Sequence, residues 1–270
     1  MKKGENIMKN PKIERNTITI NEYVNALSKN AKKSFFANCT LDEMKHFDSA
    51  VKKQFIRYLF CDSHTGKMFD IDSVSTNCKC NIFCREHAKV KGSICEFCYS
   101  DKQLDYQTTT NNKTAQAHIF FTNIKLTVND IPVINSLFFR FEAFGDLQNE
   151  LQFENYCTIA AKNPLVRSFT LFTKNPFIIR QYLDNGGIIP ENIYIGYSAL
   201  FINQSHEKSI EILEKSNCIE FIDFVFTVFD DEYINEHNID ITCGSRSCIN
   251  CLRCYTLEHG KIIFTNERKK

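Results

Sequence analysis

No stretch of the chain reaches the 18 or so apolar residues that a transmembrane helix needs, which excludes an α-helical membrane span. The opening MKKGENIMKNPKIERN is basic but lacks an apolar region, so it does not read as a signal peptide. Charge of either sign is not in excess either. A net charge of +1 gives no whole-chain field toward nucleic acid or membrane. A Walker loop and a G-x-G-x-x-G turn are both missing, which removes motif support for nucleotide hydrolysis. Gly196-Tyr197-Ser198-Ala199 lacks the G-x-S-x-G elbow of a serine hydrolase. The seven histidines form no HxH or HxxxH pair, and Trp is absent. With plentiful Lys, Asn, Ile and Phe, the lack of Trp points to an A/T-rich coding sequence and not to a function.

Cysteine, by contrast, is abundant and clustered. Of 13 cysteines, nine fall in two short windows. Cys39, Cys61, Cys157 and Cys218 stand singly among apolar residues and read as small buried hydrophobes. An odd count at ligand spacing, without an export signal, points to reduced thiols in the cytoplasm. Cys243, Cys248, Cys251 and Cys254 are spaced C-x4-C-x2-C-x2-C. Thiolates this dense on one turning loop suit an iron–sulfur cluster. Zinc, whose four ligands usually come as two separated CxxC knuckles, is the alternative. The other window, NCKCNIFCREHAKVKGSICEFCYS, carries Cys78, Cys80, Cys84, Cys95 and Cys98.

The organisation expected is α/β. With 43% hydrophobic residues and 24 Phe, the chain can bury a sizeable core. Residues 1–66 read as an N-terminal helical extension, 67–240 as the core with the first cysteine loop, and 241–270 as a C-terminal cysteine cluster segment. A short strand is expected at Thr17–Ile20, then a helix capped by Asn21 and running to about Phe36. The capping box at Thr40-Leu41-Asp42-Glu43 opens a helix to about Phe60, with Met44, Phe47, Val51, Phe55 and Tyr58 as its core stripe. A strand from Lys67 runs into the first cysteine loop, and the polar Gln107–Ala115 reads as a surface loop. Further strands are expected over 118–126, 133–144, 168–173, 192–198 and 219–229. Helices are expected over 148–162, from Pro176, and over 205–216 and 230–237. Apolar strands alternating with helices indicate a parallel sheet, as a full or partial β/α (TIM-like) barrel. In that architecture the active groups gather at the C-terminal strand ends.

Cys80-Asn81-Ile82-Phe83-Cys84 followed by Cys95-Glu96-Phe97-Cys98, with Tyr99 next, resembles the cluster loop of the radical S-adenosylmethionine (SAM) superfamily. That family holds a four-iron cluster through three cysteines of CxxxCxΦC after the first barrel strand. Here ten residues, Arg85 to Ile94, separate Cys84 from Cys95, where the family has three. The resemblance implies Cys84, Cys95 and Cys98 as ligands, with Cys80 as competitor or fourth. It also implies that SAM takes the open iron and is cleaved reductively to a carbon radical. If Cys80 ligates too, the cluster is closed and transfers electrons or stabilises the fold. Arg140-Phe141-Glu142-Ala143-Phe144-Gly145-Asp146, Asn163-Pro164, Phe172-Thr173-Lys174 and the terminal cysteines also resemble the uncharacterised phage "gene product 88" type family, over about residues 70 to 256.

Other candidates each have a bland counterpart. Gly145-Asp146 lies between a strand and a helix, where glycine permits close ligand approach and a carboxylate can bind an amino group. The radical SAM resemblance gives this turn contact with SAM, alongside Phe97 and Tyr99. An ordinary Asp helix cap is the counterpart. Lys174 and Arg140 can clasp a carboxylate or phosphate, Lys174 being better placed at a strand end. Asp146 and Lys174 are the catalytic candidates. Glu142 can face the barrel or sit in a salt bridge, and His87 is an outlying ligand candidate. Arg246, Arg253, Lys261 and the final Glu-Arg-Lys-Lys add a mild basic bias near the second cysteine group.

The leading expectation is therefore a radical-SAM-like iron–sulfur enzyme with two 4Fe-4S clusters. The one at the barrel mouth would be reactive and the C-terminal one auxiliary, relaying electrons or anchoring substrate. SAM is the implied cofactor and a flavodoxin or ferredoxin the implied electron donor, with the substrate open. The alternative is a zinc-stabilised, non-catalytic phage or mobile-element protein that binds nucleic acid or a host partner.

Overall fold

The computed structural model describes residues 18–61, 66–244 and 247–269. The basic N-terminal stretch, Thr17, His64, Arg246 and Lys270 lie outside them. Among the described residues no helix is long and apolar enough to cross a membrane.

Four short helices come first: α1 (Ile20–Ala26), α2 (Lys29–Asn38), α3 (Leu41–Lys45) and α4 (Ser49–Leu59). Thr19 caps α1 through a capping box with Glu22, so Ile20 opens a helix and the expected short strand does not form. Asn21 is not the cap. Its side chain accepts from Asp48 N at 2.9 Å and donates to His46 O at 3.0 Å, tying α1 to the α3–α4 turn. The Thr40 capping box is present, but Asp48 caps a fresh helix, so the expected long helix is two. Met44, Phe47, Val51 and Phe55 still share one buried face.

Three further helices lie between the first strand, β1 (Asp72–Val74), and the second, β2 (Phe138–Phe141). They are α5 (Ile82–His87), α6 (Tyr99–Tyr106) and α7 (Thr108–Asn123). The last corrects two expectations, because Gln107–Ala115 was read as a loop and 118–126 as a strand. The polar Thr108–Lys113 forms the exposed first turns of α7, and Ala117, Phe120 and Phe121 bury its second half. Phe120 packs edge-on against Phe55 at 5.0 Å. Full burial of a Phe is worth about 1.5 to 3 kcal/mol, which outweighs the weak helix propensity of Thr and Asn.

From β2 onward the alternation is regular. The order is α8 (Glu150–Lys162), β3 (Ser168–Thr173), α9 (Phe177–Asp184), β4 (Ile193–Ser198), α10 (His206–Lys215), β5 (Phe224–Phe229) and α11 (Asp231–His237). The short α12 (Cys248–Cys251) and a final strand, β6 (Ile263–Arg268), complete the chain. β6 lies within the segment expected to be only a cysteine cluster.

The six strands form one parallel sheet in the order β1-β2-β3-β4-β5-β6. Sequential order with crossovers of one hand sends α7, α8, α9 and α10 over the same face. Phe139 and Phe141, Phe169 and Leu171, and Ile193 and Ile195 point to that face and join Phe120, Phe153, Tyr156 and Ile179 in the main core. The opposite face presents Phe138, Arg140, Thr170, Phe172, Gly196 and Phe224, which lie side by side in the parallel register. Gly196 is required there, since a Cβ would enter the Phe224 ring.

The sheet is curled. Five interstrand steps in a flat sheet span about 24 Å. Yet Lys67, just before β1, pairs with Glu267 of β6 at 2.6 Å. The chain ahead of β1 therefore comes within side-chain reach of β6, although among the described residues no ladder joins the two edge strands.

Candidate functional site

The first cysteine loop leaves the C-terminal end of β1, as the sequence implied. Its residues 78–98 carry Asn81, which caps α5 by accepting from Cys84 N at 3.0 Å. Ser93 caps a 3-10 turn, Ile94–Phe97, that carries Cys95. The ten residues between Cys84 and Cys95 have a visible purpose. They carry the chain across the strand ends to β4, where Ile94 N donates to Leu200 O at 2.8 Å and Ser93 bridges Phe201. The loop then returns, so Cys84 and Cys95 lie within electrostatic reach of each other despite their separation.

Four thiols group here: Cys78, Cys84, Cys95 and Cys98. Cys80 does not join them: it is exposed, and no other thiol acts on it, partial burial raising its pKa while Arg85 opposes. Sequence spacing favoured Cys80 over Cys78. Only the turn at Asn77, whose side chain bonds Asn111 and Thr114 of α7, sends Cys78 inward. Cys98 is the N-cap residue of α6. The Cys78 thiol donates to its sulfur, and this bond, the α6 backbone N–H groups and Lys174 together outweigh burial and lower its pKa. Burial pushes Cys84 and Cys95 up, with Lys174 opposing in both cases.

Lys174 follows β3 and faces this group. Burial disfavours its charge, but Asp146, Cys95, Cys84 and Cys98 hold its pKa above the ordinary lysine value. Asp146 follows β2 and is buried. One of its oxygens accepts from Thr173 Oγ1 at 2.5 Å and Leu147 N at 2.8 Å, the other from Lys174 N at 2.9 Å. Burial nevertheless raises its pKa. The carboxylate thus pins β2 to β3. Gly145 likewise faces protein, since a Cβ would lie 2.6 Å from the Thr76 carbonyl and 2.7 Å from Glu142 Oε2.

Glu142 was the residue least legible in the sequence. It sits at φ +57°, a conformation costly for a non-glycine residue. Its buried carboxylate accepts from Thr76 N at 3.1 Å, Thr76 Oγ1 at 3.0 Å, Gln152 Nε2 at 2.8 Å and the Tyr156 hydroxyl. Burial raises its pKa to about 8 despite these donors. The network fixes the backbone just ahead of Cys78. Tyr99 is exposed and donates to Ala143 O at 2.7 Å, while Phe97 lies under the Lys269 ammonium at 4.4 Å. His87 stacks on Phe83 and bonds its carbonyl, away from the thiols. Ser198 is buried at the end of β4.

The second group lies elsewhere, against the inner face and the edge of the sheet. Cys243, Cys248, Cys251 and Cys254 all line one cavity of about 350 Å³, together with Lys67 and Thr265. Burial pushes Cys254 up to about 12 and also raises Cys248, while Arg140 opposes in both cases. Arg140 projects from β2, stacks over Phe172 at 4.1 Å and reaches Met68 Sδ at 3.7 Å. Burial works against its charge, but Tyr255, Tyr99, Cys248 and Cys254 raise its pKa.

Among the described residues no group of three or more His, Cys, Asp or Glu side chains stands ready to hold a metal ion. Each cysteine of a four-iron cluster bonds a different iron, so its ligands need not surround one point. The donor chemistry and the cavity suit a thiolate-bound group at the second place. At the first, the four thiols share a field but not yet a centre. No family model, no curated protein and no solved structure matches the chain.

Proposed function

We propose that this chain is an iron–sulfur protein built on an open β/α barrel and similar in plan to the radical SAM enzymes. The observation that carries the reading is the grouping of Cys84, Cys95 and Cys98 around Lys174 at the C-terminal strand ends. Such ends are where β/α folds place their chemistry. A cluster held there would supply one-electron reduction, with its electron from an acidic carrier of the flavodoxin or ferredoxin class. The chain's own residues have definable tasks. Cys98 offers thiolate character at a helix start, and Lys174 offsets the negative charge that three thiolates accumulate. The Glu142 network and Gly145 hold the Thr76–Cys78 backbone against β2. Tyr99 and Phe97 form an exposed aromatic rim suited to a nucleoside or substrate ring.

The full set of hydrogen bonds on Asp146 favours a second reading. That carboxylate and the filled space beside Gly145 act inside the protein, which suits a non-catalytic, zinc-stabilised protein that binds nucleic acid or a host partner. The experiment that separates the two is iron, sulfide and zinc analysis of anaerobically purified protein, with electron paramagnetic resonance of the reduced sample with and without SAM. Two iron–sulfur clusters and a signal that shifts with SAM are expected. Iron without a shift removes the SAM chemistry, and zinc alone removes the enzyme.

A further inference from the structure

The sheet's two edges are β1 and β6, and among the described residues no ladder closes them. The second cysteine group occupies that gap. Cys243 lies on the free edge of β6, where its N–H donates to Asn266 O at 2.8 Å and it forms a parallel bridge with Glu267. Asn266 N donates in turn to Thr242 Oγ1 at 2.9 Å. Cys248 is fixed to the other edge, its N–H donating to Lys67 O at 2.7 Å. Cys254 rests on the floor of the sheet, its carbonyl accepting from Thr170 Oγ1 of β3 at 3.0 Å. Next to it, Tyr255 packs on Phe138 within a small separate core of Ile71, Met68, Ile249 and Leu252. Three of the four thiols thus come from positions tied to β6, to the segment before β1 and to the floor, and Cys251 lines the same cavity between them.

We infer that a metal group bound by Cys243, Cys248, Cys251 and Cys254 is the closure of this sheet, joining β6 to the segment before β1 where a larger barrel would have further strands. A strand edge without a full ladder is a liability that folds cover or pair. Here each edge is met by one bridge, Cys61 with Ser73 of β1 and Cys243 with Glu267 of β6, and the Lys67–Glu267 ion pair spans the gap between them. Partly exposed ion pairs contribute little. A metal–thiolate group bonded to both edges contributes far more, because its binding energy becomes folding energy. With four cysteine ligands the group has no vacant position, so its role is to hold the sheet and not to engage substrate.

This rests on the reading of these four cysteines as metal ligands, and not on the chemistry assigned to the first loop. The test is hydrogen–deuterium exchange on the full chain, with metal analysis of each sample. Three proteins are compared: wild type, C248S/C254S and C84A/C98A. The C248S/C254S protein should lose one metal group, and amides of residues 263–268 and 66–74 should exchange about tenfold faster or more. The C84A/C98A protein should lose the other group and keep that protection. Where C248S/C254S does not fold, chelation of wild type followed by metal restoration should lower and then recover protection in the same segments. Metal present in wild type, with edge exchange unchanged on its loss, overturns the closure alone. Wild type without metal overturns the metal reading as well.

Discussion

The two cysteine groups are held in different ways. Short caps place the thiols of the first, at Asn81, Ser93 and the start of α6, on a loop that Asn77 and Ile94 anchor to α7 and to Leu200. The second is held by long-range backbone contacts to β6, to Lys67 and to Thr170. Locally held thiols can be tuned by nearby charge without moving the fold, and Lys174 does this at the first group. Thiols held by the sheet's edges cannot change without moving those edges. On the proposed reading, reactivity and stability fall in different parts of one chain.

The largest expected effect breaks that contrast directly. Loss of Cys248 and Cys254 should lower Tm by more than about 5 °C, whereas loss of Cys84 and Cys98 should leave it within about 2 °C; differential scanning calorimetry under nitrogen reads both. Equal losses would mean that both groups are structural. Next is Gly145→Ala, which drives a methyl into Thr76 and Glu142. Overpacking of that kind costs about 1 to 3 kcal/mol, measurable by urea unfolding, and metal at the second group should be unaffected.

A third test uses pH. Burial raises the folded-state pKa of Glu142 to about 8, above the usual carboxylate value of 4.5. The native state therefore holds a proton that the unfolded chain releases. This contribution is complete below about pH 4.5 and is lost as pH climbs through 8. Glu142→Gln should flatten the fall in stability between these limits; an unchanged slope would exclude Glu142 as its source. His259 offers a weaker test of the same kind. Both its ring nitrogens face acceptors, Asp223 Oδ1 at 2.7 Å and Glu191 O at 2.8 Å, so both bonds form fully only in the protonated ring. Burial works against that charge, but the two acceptors raise its pKa. Its contribution is present below about pH 6.5 and fades as pH rises past the higher folded value. His259→Asn should remove this small dependence. Smallest of all, Glu211→Ala, which cuts exposed pairs to Lys208 and Lys215, should leave the urea midpoint unchanged within measurement error.

Much of the parallel sheet was legible in the sequence. β3 runs over the expected residues 168–173, and β4 begins one residue later than expected. Short apolar runs between caps carry that information locally. The run at 118–126 failed because an apolar stretch cannot by itself distinguish a buried strand from a buried helix. β6 was hidden because only Ile262, Ile263 and Phe264 are apolar before Asn266, Glu267 and Arg268 turn polar at the sheet's edge. At the candidate site, Cys84, Cys95, Cys98, Lys174 and Asp146 were singled out by motif and strand-end position, and Glu142 was weighed as facing the barrel or salt-bridged. Cys78 was not picked, since its placement depends on the turn at Asn77, and the Glu142 network depends on a left-handed backbone. Neither feature has a local sequence signal.

The sequential strand order has one more consequence. A cylinder of strands that closes on itself can be entered only through its two ends. Six strands in an arc leave a seam along the side, and here Lys67, Glu267 and the cavity lined by four cysteines lie along it. On the closure inferred above, the integrity of that flank therefore depends on side chains and the group they bind, and not on backbone pairing.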